Sequence, residues 1–461
     1  MIRDALVAAV LVSSFGSPIP GMRTGEPGMA PPRAAVAAAS PRPSVAVPGS
    51  QVVSSPRPEG TGSELTIYLL TMGYGDEIWE RFGHNAIRIV DASRGTDSVY
   101  HWGAFDFAQP HFLRRFMTGD TEYWMKGEVI AETMAQYHYL NRSVWAQELD
   151  LTPAERIAVR DYIAWNARPE NLYYRYDYYL DNCSTRVRDI LDRAVGGQLE
   201  SAMASRLTGA TYRFHTQRAL RFDRAVALGT DIGLGEGADR PITQWEEAFL
   251  PGRLQEHIRS VQVTRPDGTR PLVKAEQQLF AANRGPEPTE PASTLFRNLL
   301  IGIGVAAVAG VLARAAMSGR RRPRLAFVSL ATTWVALNGI LGVILIVGWT
   351  ATRHVFMVRN ENLLQFNALS LGLAVLLPLA VMRGRAVPLA RGLAVAIAAI
   401  SVVGLAMKVV PAFGQHNVAI IALTLPAHLV IAWAVRALPM ASATAPSPRG
   451  AAAAAATRSA A

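Results

Sequence analysis

Five apolar runs dominate the carboxy-terminal part of the chain, at residues 299–317, 325–350, 363–382, 392–410 and 418–435. Each comes near the roughly 20 residues that the hydrocarbon core of a bilayer requires. In lipid, backbone polar groups must be satisfied within the segment itself, so these runs are expected as membrane-spanning helices. The chain then divides into a helical membrane region, 299–438, and a preceding region, 63–285, whose charge and aromatic content are those of a soluble domain. Between them Pro286, Pro288 and Pro291 interrupt helix and strand alike, and 286–298 is expected as a linker. At the amino end a short apolar run predicts a signal peptide or anchor over 1–15. A disordered Pro/Ala/Ser-rich linker is expected at 16–62 and a disordered cytoplasmic tail at 439–461.

The arginines are unevenly placed around the apolar runs. Arg320, Arg321, Arg322 and Arg324 fall in the first connection and Arg383, Arg385 and Arg391 in the third, which the positive-inside rule assigns to the cytoplasm. With five spans, the soluble region lies outside, in the periplasm of a bacterium with two membranes. These arginines also account for the formal charge of +10 without nucleic acid, for which the chain carries no binding motif. The polar connection 353–362 falls on the outer side, and its His354, Asn360 and Asn362 are candidates for binding a lipid headgroup. An ordinary solvated loop is the alternative. Gln415, His416 and Asn417 form a second outer cluster. His428 lies inside the last span, either as a functional group or as a histidine bonded to a neighbouring helix.

Among 461 residues there is one cysteine, Cys183, so its role lies in packing or in reactivity and not in an internal disulfide. It is flanked by Asp181-Asn182 and Ser184-Thr185, a polar setting unlike that of an inert core thiol. The spacing of Val187, Ile190, Leu191, Ala194 and Val195 predicts a helix ending at Gly196-Gly197, with Cys183 at its amino end. There the helix dipole and free N–H groups favour a thiolate and offer donors to an oxyanion, and Asn182 and Arg186 become candidate substrate-binding residues. Upstream, strands are expected at 65–70, 86–90 and 98–103, and a helix at 153–166. His84 then heads one strand and His101 lies on its antiparallel neighbour, within cross-strand reach. A nucleophilic thiol requires such a base, so the candidate catalytic set is Cys183 as nucleophile, His84 as general base and His101 as the residue that orients it, with His215 or His354 as the next base to consider. No metal-ligand cluster, phosphate loop or dinucleotide fingerprint is present, and neither metal nor cofactor is expected.

Four runs carry a resemblance: Tyr68 to Gly73, Phe82 to Ile89, Tyr100 to Phe107 and Tyr176 to Arg186, together with 242–251 and Asn360-Glu361-Asn362-Leu363-Leu364. They resemble the Lnb-type bacterial membrane proteins, in which a periplasmic domain precedes several membrane spans. The resemblance implies an α+β, permuted papain-like fold of the NlpC/P60 and lecithin:retinol acyltransferase group for the periplasmic domain, fused to an α-helical membrane domain of about five spans. It also implies a lipoprotein N-acyltransferase activity. The expected function is transfer of an acyl chain from a phospholipid, through a thioester on Cys183, to the terminal amine of a lipoprotein, by a multi-pass protein of the bacterial inner membrane. Its partners would be the phospholipid donor, the lipoprotein acceptor and the membrane. A cysteine hydrolase acting on a peptide or lipid ester is one alternative. A non-enzymatic scaffold that binds lipid or envelope proteins is another.

Overall fold

A computed structural model describes residues 60–439. The expected signal peptide or anchor, and nearly all of the expected linker 16–62 and tail 439–461, lie outside these residues.

The first region is built on a seven-stranded sheet. Its first six strands are β1 (Leu65–Met72), β2 (His84–Asp91), β3 (Thr96–Ala104), β4 (Glu122–Val129), β5 (Val144–Leu149) and β6 (Tyr173–Arg175). Two short ribbons follow, β7 (Leu207–Thr211) with β8 (Pro241–Thr243) and β9 (Gln262–Arg265) with β10 (Gly268–Pro271), and β11 (Val273–Phe280) completes the sheet. The order is β11-β5-β1-β2-β3-β4-β6, and every neighbouring pair is antiparallel.

Alternation along the central strands sends side chains to two cores. On one face Leu65, Ile67, Leu69, Ile87, Ile89, Tyr100 and Trp102 meet Val187, Ile190 and Leu191 of the helix Cys183–Ala194, and Val159 and Ile163 of the helix Pro153–Asn166. On the other face Leu70, Met72, Ala86, Val99 and Val144 are covered by Tyr137 of the helix Ile130–Tyr139. Each fully buried Leu, Ile or Val contributes about 1.5–3 kcal/mol, so the helix carrying Cys183 is fixed against the strands carrying His84 and His101 by its own apolar stripe.

Most differences from the expected elements have local causes. The helix 153–166 is found at Pro153–Asn166, where Thr152 and Glu155 form a capping box around Pro at the first turn. The three expected strands are longer by two or three residues. β11 gave no signal because its side chains are largely in water and its contribution is backbone pairing with β5, which leaves no apolar alternation. The expected linker is shorter than drawn and is strapped to the domain. Arg218 pairs with Glu287 at 2.8 Å and donates to Pro288 O at 2.7 Å, and the first apolar helix already begins at Leu295.

Five helices are long and apolar enough to cross a membrane: Leu295–Ala316, Arg321–Ala351, Glu361–Arg383, Val387–Val409 and Val418–Ala437. The third opens with the short turn Glu361–Leu364 before the regular helix Leu369–Arg383. The first packs closely on the fifth at Gly302, where a Cβ would lie 2.4 Å from Ala422 O. Small residues permit this approach of two backbones.

The connection between the second and third of these helices binds the sheet domain. Gly235 N donates to Phe356 O at 2.6 Å, Asn360 Nδ2 to Ile232 O and Gly233 O at 2.8 Å each, and Asn362 Nδ2 to Ile232 O at 3.0 Å. From the connection between the fourth and fifth helices, Gln415 Nε2 donates to Leu234 O at 3.0 Å. The turn that receives them is organised by buried Arg213, which meets Asp231 at 2.7 Å and Asp239 at 2.8 Å and donates to Leu234 O at 2.8 Å. A Cβ on Gly235 would stand 2.1 Å from Val358 O, a backbone atom that cannot step aside. Gly235→Val is therefore expected to cost about 1–3 kcal/mol as an overpacked contact. Limited proteolysis should show faster cutting at 352–360 than in the wild type.

Candidate active site

The site forms where the amino end of the helix Cys183–Ala194 meets the head of β2. Asn182 caps that helix: its Oδ1 accepts from Ser184 N at 2.8 Å and Thr185 N at 2.9 Å, and its Nδ2 donates to Tyr178 O and Phe249 O at 2.9 Å each. Ser184 Oγ lies 2.7 Å from both Asn85 Oδ1 and Ala248 O. Asn85, fully buried, donates onward to Leu70 O at 3.1 Å and Thr71 Oγ1 at 2.9 Å. The residue after Cys183 is thus bonded to the residue after His84. Across this interlock the backbone N–H groups of Asn85, Ser184 and Cys183 itself act on the Cys183 sulfur, favouring its thiolate.

His84 is the first residue of β2, and His101 lies on β3, where Ala86 is paired with His101. The two imidazoles meet edge to face, with His84 Nε2 3.1 Å from His101 Nδ1. Behind them, His101 Nε2 is 4.0 Å from Glu128 Oε2, an electrostatic rather than a hydrogen-bonding distance. Glu128 is held by Lys126 at 2.8 Å and Thr133 Oγ1 at 2.7 Å. The carboxylate favours the tautomer with the proton on His101 Nε2, in which His101 Nδ1 is the acceptor of His84 Nε2–H. His84 Nδ1 is then the basic nitrogen.

Burial lowers His84 well below the ordinary histidine value, reinforced by His101 and by Arg142. Burial also lowers His101, to about 4, against the opposing pull of Glu128. The half-buried Cys183 thiol is pushed up to about 11 by burial, while the N–H groups of Asn85 and Ser184 and the charge of Arg142 pull it down. The donors anticipated at a helix amino terminus are therefore present, but desolvation outweighs them. These shifts favour a thiol at Cys183 and a neutral imidazole at His84 near neutral pH, where the helix terminus by itself would favour a thiolate.

Arg142 acts on both groups from inside the domain. It is 4% exposed, pairs with Glu80 at 3.2 Å, donates to Gly73 O at 2.9 Å and lies over the Tyr137 ring at 5.0 Å. Its Nη2 and the Tyr174 hydroxyl are buried donors with no hydrogen-bond partner among the described residues, and the field of Cys183 reaches Tyr174. Nothing local in the sequence marked Arg142, which enters from the turn at Asn141, a residue with φ 49°. Asn85 and Ser184 did carry a signal, as polar residues at positions that the neighbouring strand and helix patterns bury.

The other candidates are placed differently. Asn182 spends both ends of its amide on the cap and on Phe249, so it is a structural residue. Arg186 forms a two-pronged pair with Asp181 at 2.5 and 2.7 Å and covers the Tyr174 ring at 3.9 Å. His354 lies 3.0 Å from Phe116 O and stacks on Tyr178. Asn360 and Asn362 are buried in the joint with the sheet domain, where their amides bond backbone carbonyls. In place of a solvated headgroup site, these two asparagines supply hydrogen bonds that the joint needs. His215 is held by Glu247 at 2.8 Å, and Glu247 also binds His257 at 2.6 Å. Among the described residues no cluster of histidine, cysteine and carboxylates has the geometry to hold a metal ion.

Two outcomes test this geometry. Asn85→Ala strips the buried Ser184 hydroxyl of a partner and is expected to cost about 1–3 kcal/mol, measured by thermal unfolding of the purified protein. Alkylation of Cys183 by iodoacetamide should be slow near neutral pH and rise towards about pH 11, because the thiol is protonated below that value. A reaction already at its plateau at pH 7 would show a preformed thiolate.

Residues 60–219 match the family model of the Lnb N-terminal periplasmic domain. No curated protein and no solved structure matches the chain. The match covers β1 to β7, the interlocked Asn85 and Ser184, and the three residues His84, His101 and Cys183. Over these residues the chain therefore carries a domain similar to the Lnb N-terminal periplasmic domain.

Proposed function

We propose that this protein is a lipoprotein N-acyltransferase that works through an acyl-enzyme on Cys183. The observation that carries the reading is the placement of a half-buried Cys183 at a helix amino terminus that Ser184 ties to Asn85, the neighbour of His84 on β2, in a domain joined to five membrane-competent helices. A nucleophile, a base and backbone donors within one constellation fit acyl transfer. The order of the histidine strand and cysteine helix, on an antiparallel sheet, supports a permuted papain-like arrangement for the domain.

In the first half-reaction His84 Nδ1 takes the thiol proton as the sulfur attacks the ester carbonyl of a phospholipid. The N–H groups that rest against the sulfur, with Arg142 behind them, stabilise the oxyanion. The C–O bond breaks, His84 returns the proton to the leaving oxygen, and a lysophospholipid departs from the thioester. In the second half-reaction the neutral α-amine of a lipid-modified cysteine attacks the thioester. The C–S bond breaks, His84 removes the amine proton and restores the thiol, and an amide remains. His101, backed by Glu128, holds the tautomer that makes Nδ1 basic and stabilises the imidazolium as it forms. None of these steps calls on a metal or cofactor.

Both substrates are anchored by acyl chains, so tethering the site to membrane helices raises their encounter with it. The arginines in the first and third connections support an orientation with the sheet domain in the periplasm and the helices in the bacterial inner membrane.

Incubated with phospholipid and no acceptor, the wild-type protein should gain one acyl mass on the peptide containing Cys183, removable by hydroxylamine. Cys183→Ser should show no such gain while keeping its fold. His84→Ala should slow acylation by about 10²–10⁴-fold, and His101→Ala less. Because His84 is lowered, its neutral form persists below pH 6.5, and the acid limb of the acylation rate should lie below that value. An unchanged rate in His84→Ala would rule out the dyad. Supplying a lipoprotein should yield a terminal amide, whereas free fatty acid alone would mark a hydrolase.

A further inference from the structure

A closed circuit of aromatic rings leads away from Cys183. Gly103, at φ +96°, has no side chain between the sulfur-bearing residue and Tyr176, and a Cβ built there would touch Cys183 Cβ at 3.7 Å and Tyr176 Cε2 at 3.8 Å. Tyr176 stacks on Tyr123 at 4.3 Å, and Tyr123 meets Phe105 at 5.1 Å. Phe105 stacks on Phe112 at 6.1 Å and Phe112 on Phe116 at 6.2 Å. Phe116 meets Tyr178 at 6.3 Å, and Tyr178 returns to Tyr176 at 6.0 Å. Core packing alone does not require the far side of this circuit to be open. Yet Leu113, Met117, Tyr178 and Leu180 beside it are 42–51% exposed.

The helix Phe112–Thr118 presents Leu113 and Met117 four residues apart, hence on one face. Its last carbonyls are bonded to the chain emerging from the second apolar helix, which ends at Ala351: Arg353 N donates to Thr118 O at 2.9 Å, and His354 Nε2 lies 3.0 Å from Phe116 O. Gly119, at φ +70°, closes this helix with a Cβ position only 3.1 Å from Arg353 C, so the contact is backbone on backbone. The second apolar helix has 31 residues, about 46 Å at a rise of about 1.5 Å per residue, against a hydrocarbon core of about 30 Å. Its end therefore stands among the headgroups, and the exposed patch stands with it. Exposed Arg114 adds a cation at the level of lipid phosphate, and exposed Arg353 stands with it, 3.3 Å from Asp120.

The geometry points to an acyl-chain entry route: one chain of a bilayer phospholipid leaves the membrane across Leu113 and Met117 and runs along the Phe116–Phe112–Phe105–Tyr123–Tyr176 rings to place its ester at Cys183. The inference rests on the acyl-transfer reading for its last step, while the membrane contact of the patch stands independently. An apolar face continuous with membrane helices and rimmed by arginines fits lipid better than a soluble partner.

The lone cysteine makes the test direct. In the full-length Cys183→Ser protein, Met117→Cys supplies a single site for a nitroxide spin label, and Ser201→Cys, on an exposed helix of the sheet domain, supplies the aqueous control. In vesicles of phosphatidylethanolamine and phosphatidylglycerol the label at 117 should collide with oxygen and be shielded from a water-soluble nickel chelate, the reverse of the label at 201. Equal exposure to nickel at both sites overturns the route. Leu113→Glu with Met117→Glu, in the protein retaining Cys183, should then slow acylation from vesicle phospholipid by at least about tenfold, the loss expected for a few methylenes deprived of apolar contact. Acylation by a water-soluble short-chain ester should keep its wild-type rate. Equal rates with both donors, or equal loss with both, overturn the route. If the wild type accepts only the soluble ester, the phospholipid reading fails, and the spin label still decides whether the patch meets lipid.

Discussion

The interlock of Asn85, Ser184 and Asn182 is the contact on which the candidate site depends. A strand and a helix distant in sequence must be brought together so that Asn85 N–H faces one sulfur atom, and apolar packing alone tolerates small slides along the helix axis. The interlock removes that freedom. Asn182 fixes the helix start, Ser184 ties it to Asn85 and Ala248, and Asn85 is itself tied to β1. Each of these groups is buried, so a slide would leave polar atoms unpaired at about 1–3 kcal/mol apiece. The strictness of the geometry comes from that penalty more than from the strength of any single bond.

A second joint transmits this order to the membrane. The turn around Asp231 to Asp239 presents the carbonyls of Ile232, Gly233 and Leu234 to the membrane connections, the last of them also bonded by Arg213. Asn360, Asn362 and Gln415 satisfy them. Arg213 shapes the turn from behind through two buried carboxylates. The two regions thus complete each other's hydrogen bonding, and the sheet domain is held at one attitude to the helices where it meets them, not left on a tether. Chemistry on substrates confined to a bilayer benefits from that constraint, since a freely swinging domain would present its site to lipid only part of the time.

The division between sheet domain and apolar helices was legible in the sequence because lipid imposes a length and a composition that few other environments demand. The strands bearing His84 and His101, and the helix headed by Cys183, were legible because each has one buried face and so a period. β11 and the short β6 were not, since an edge strand with solvated side chains leaves its signal in backbone pairing alone. Asn182, Asn360 and Asn362 were read as ligand-binding candidates for one reason. Polar residues in apparently open loops look available for ligands, and only the fold reveals that buried carbonyls already claim their amides. Arg142 stayed invisible because its reach to the thiol is a product of tertiary structure.

The raised thiol and lowered imidazoles change what the pair has to do. A preformed thiolate reacts with any electrophile that reaches it, including oxidants in an oxidising compartment. A neutral thiol beside a neutral base is quiet until a carbonyl is positioned and proton transfer accompanies attack. The same burial that suppresses ionisation also strengthens the backbone donors and Arg142 once negative charge appears on the substrate oxygen, because their field is less screened in a low-dielectric site. Acyl chains entering the site would displace more water and sharpen this contrast. On the proposed reading the apolar surroundings of Cys183 are not an obstacle to its reactivity: they make reactivity conditional on a bound substrate.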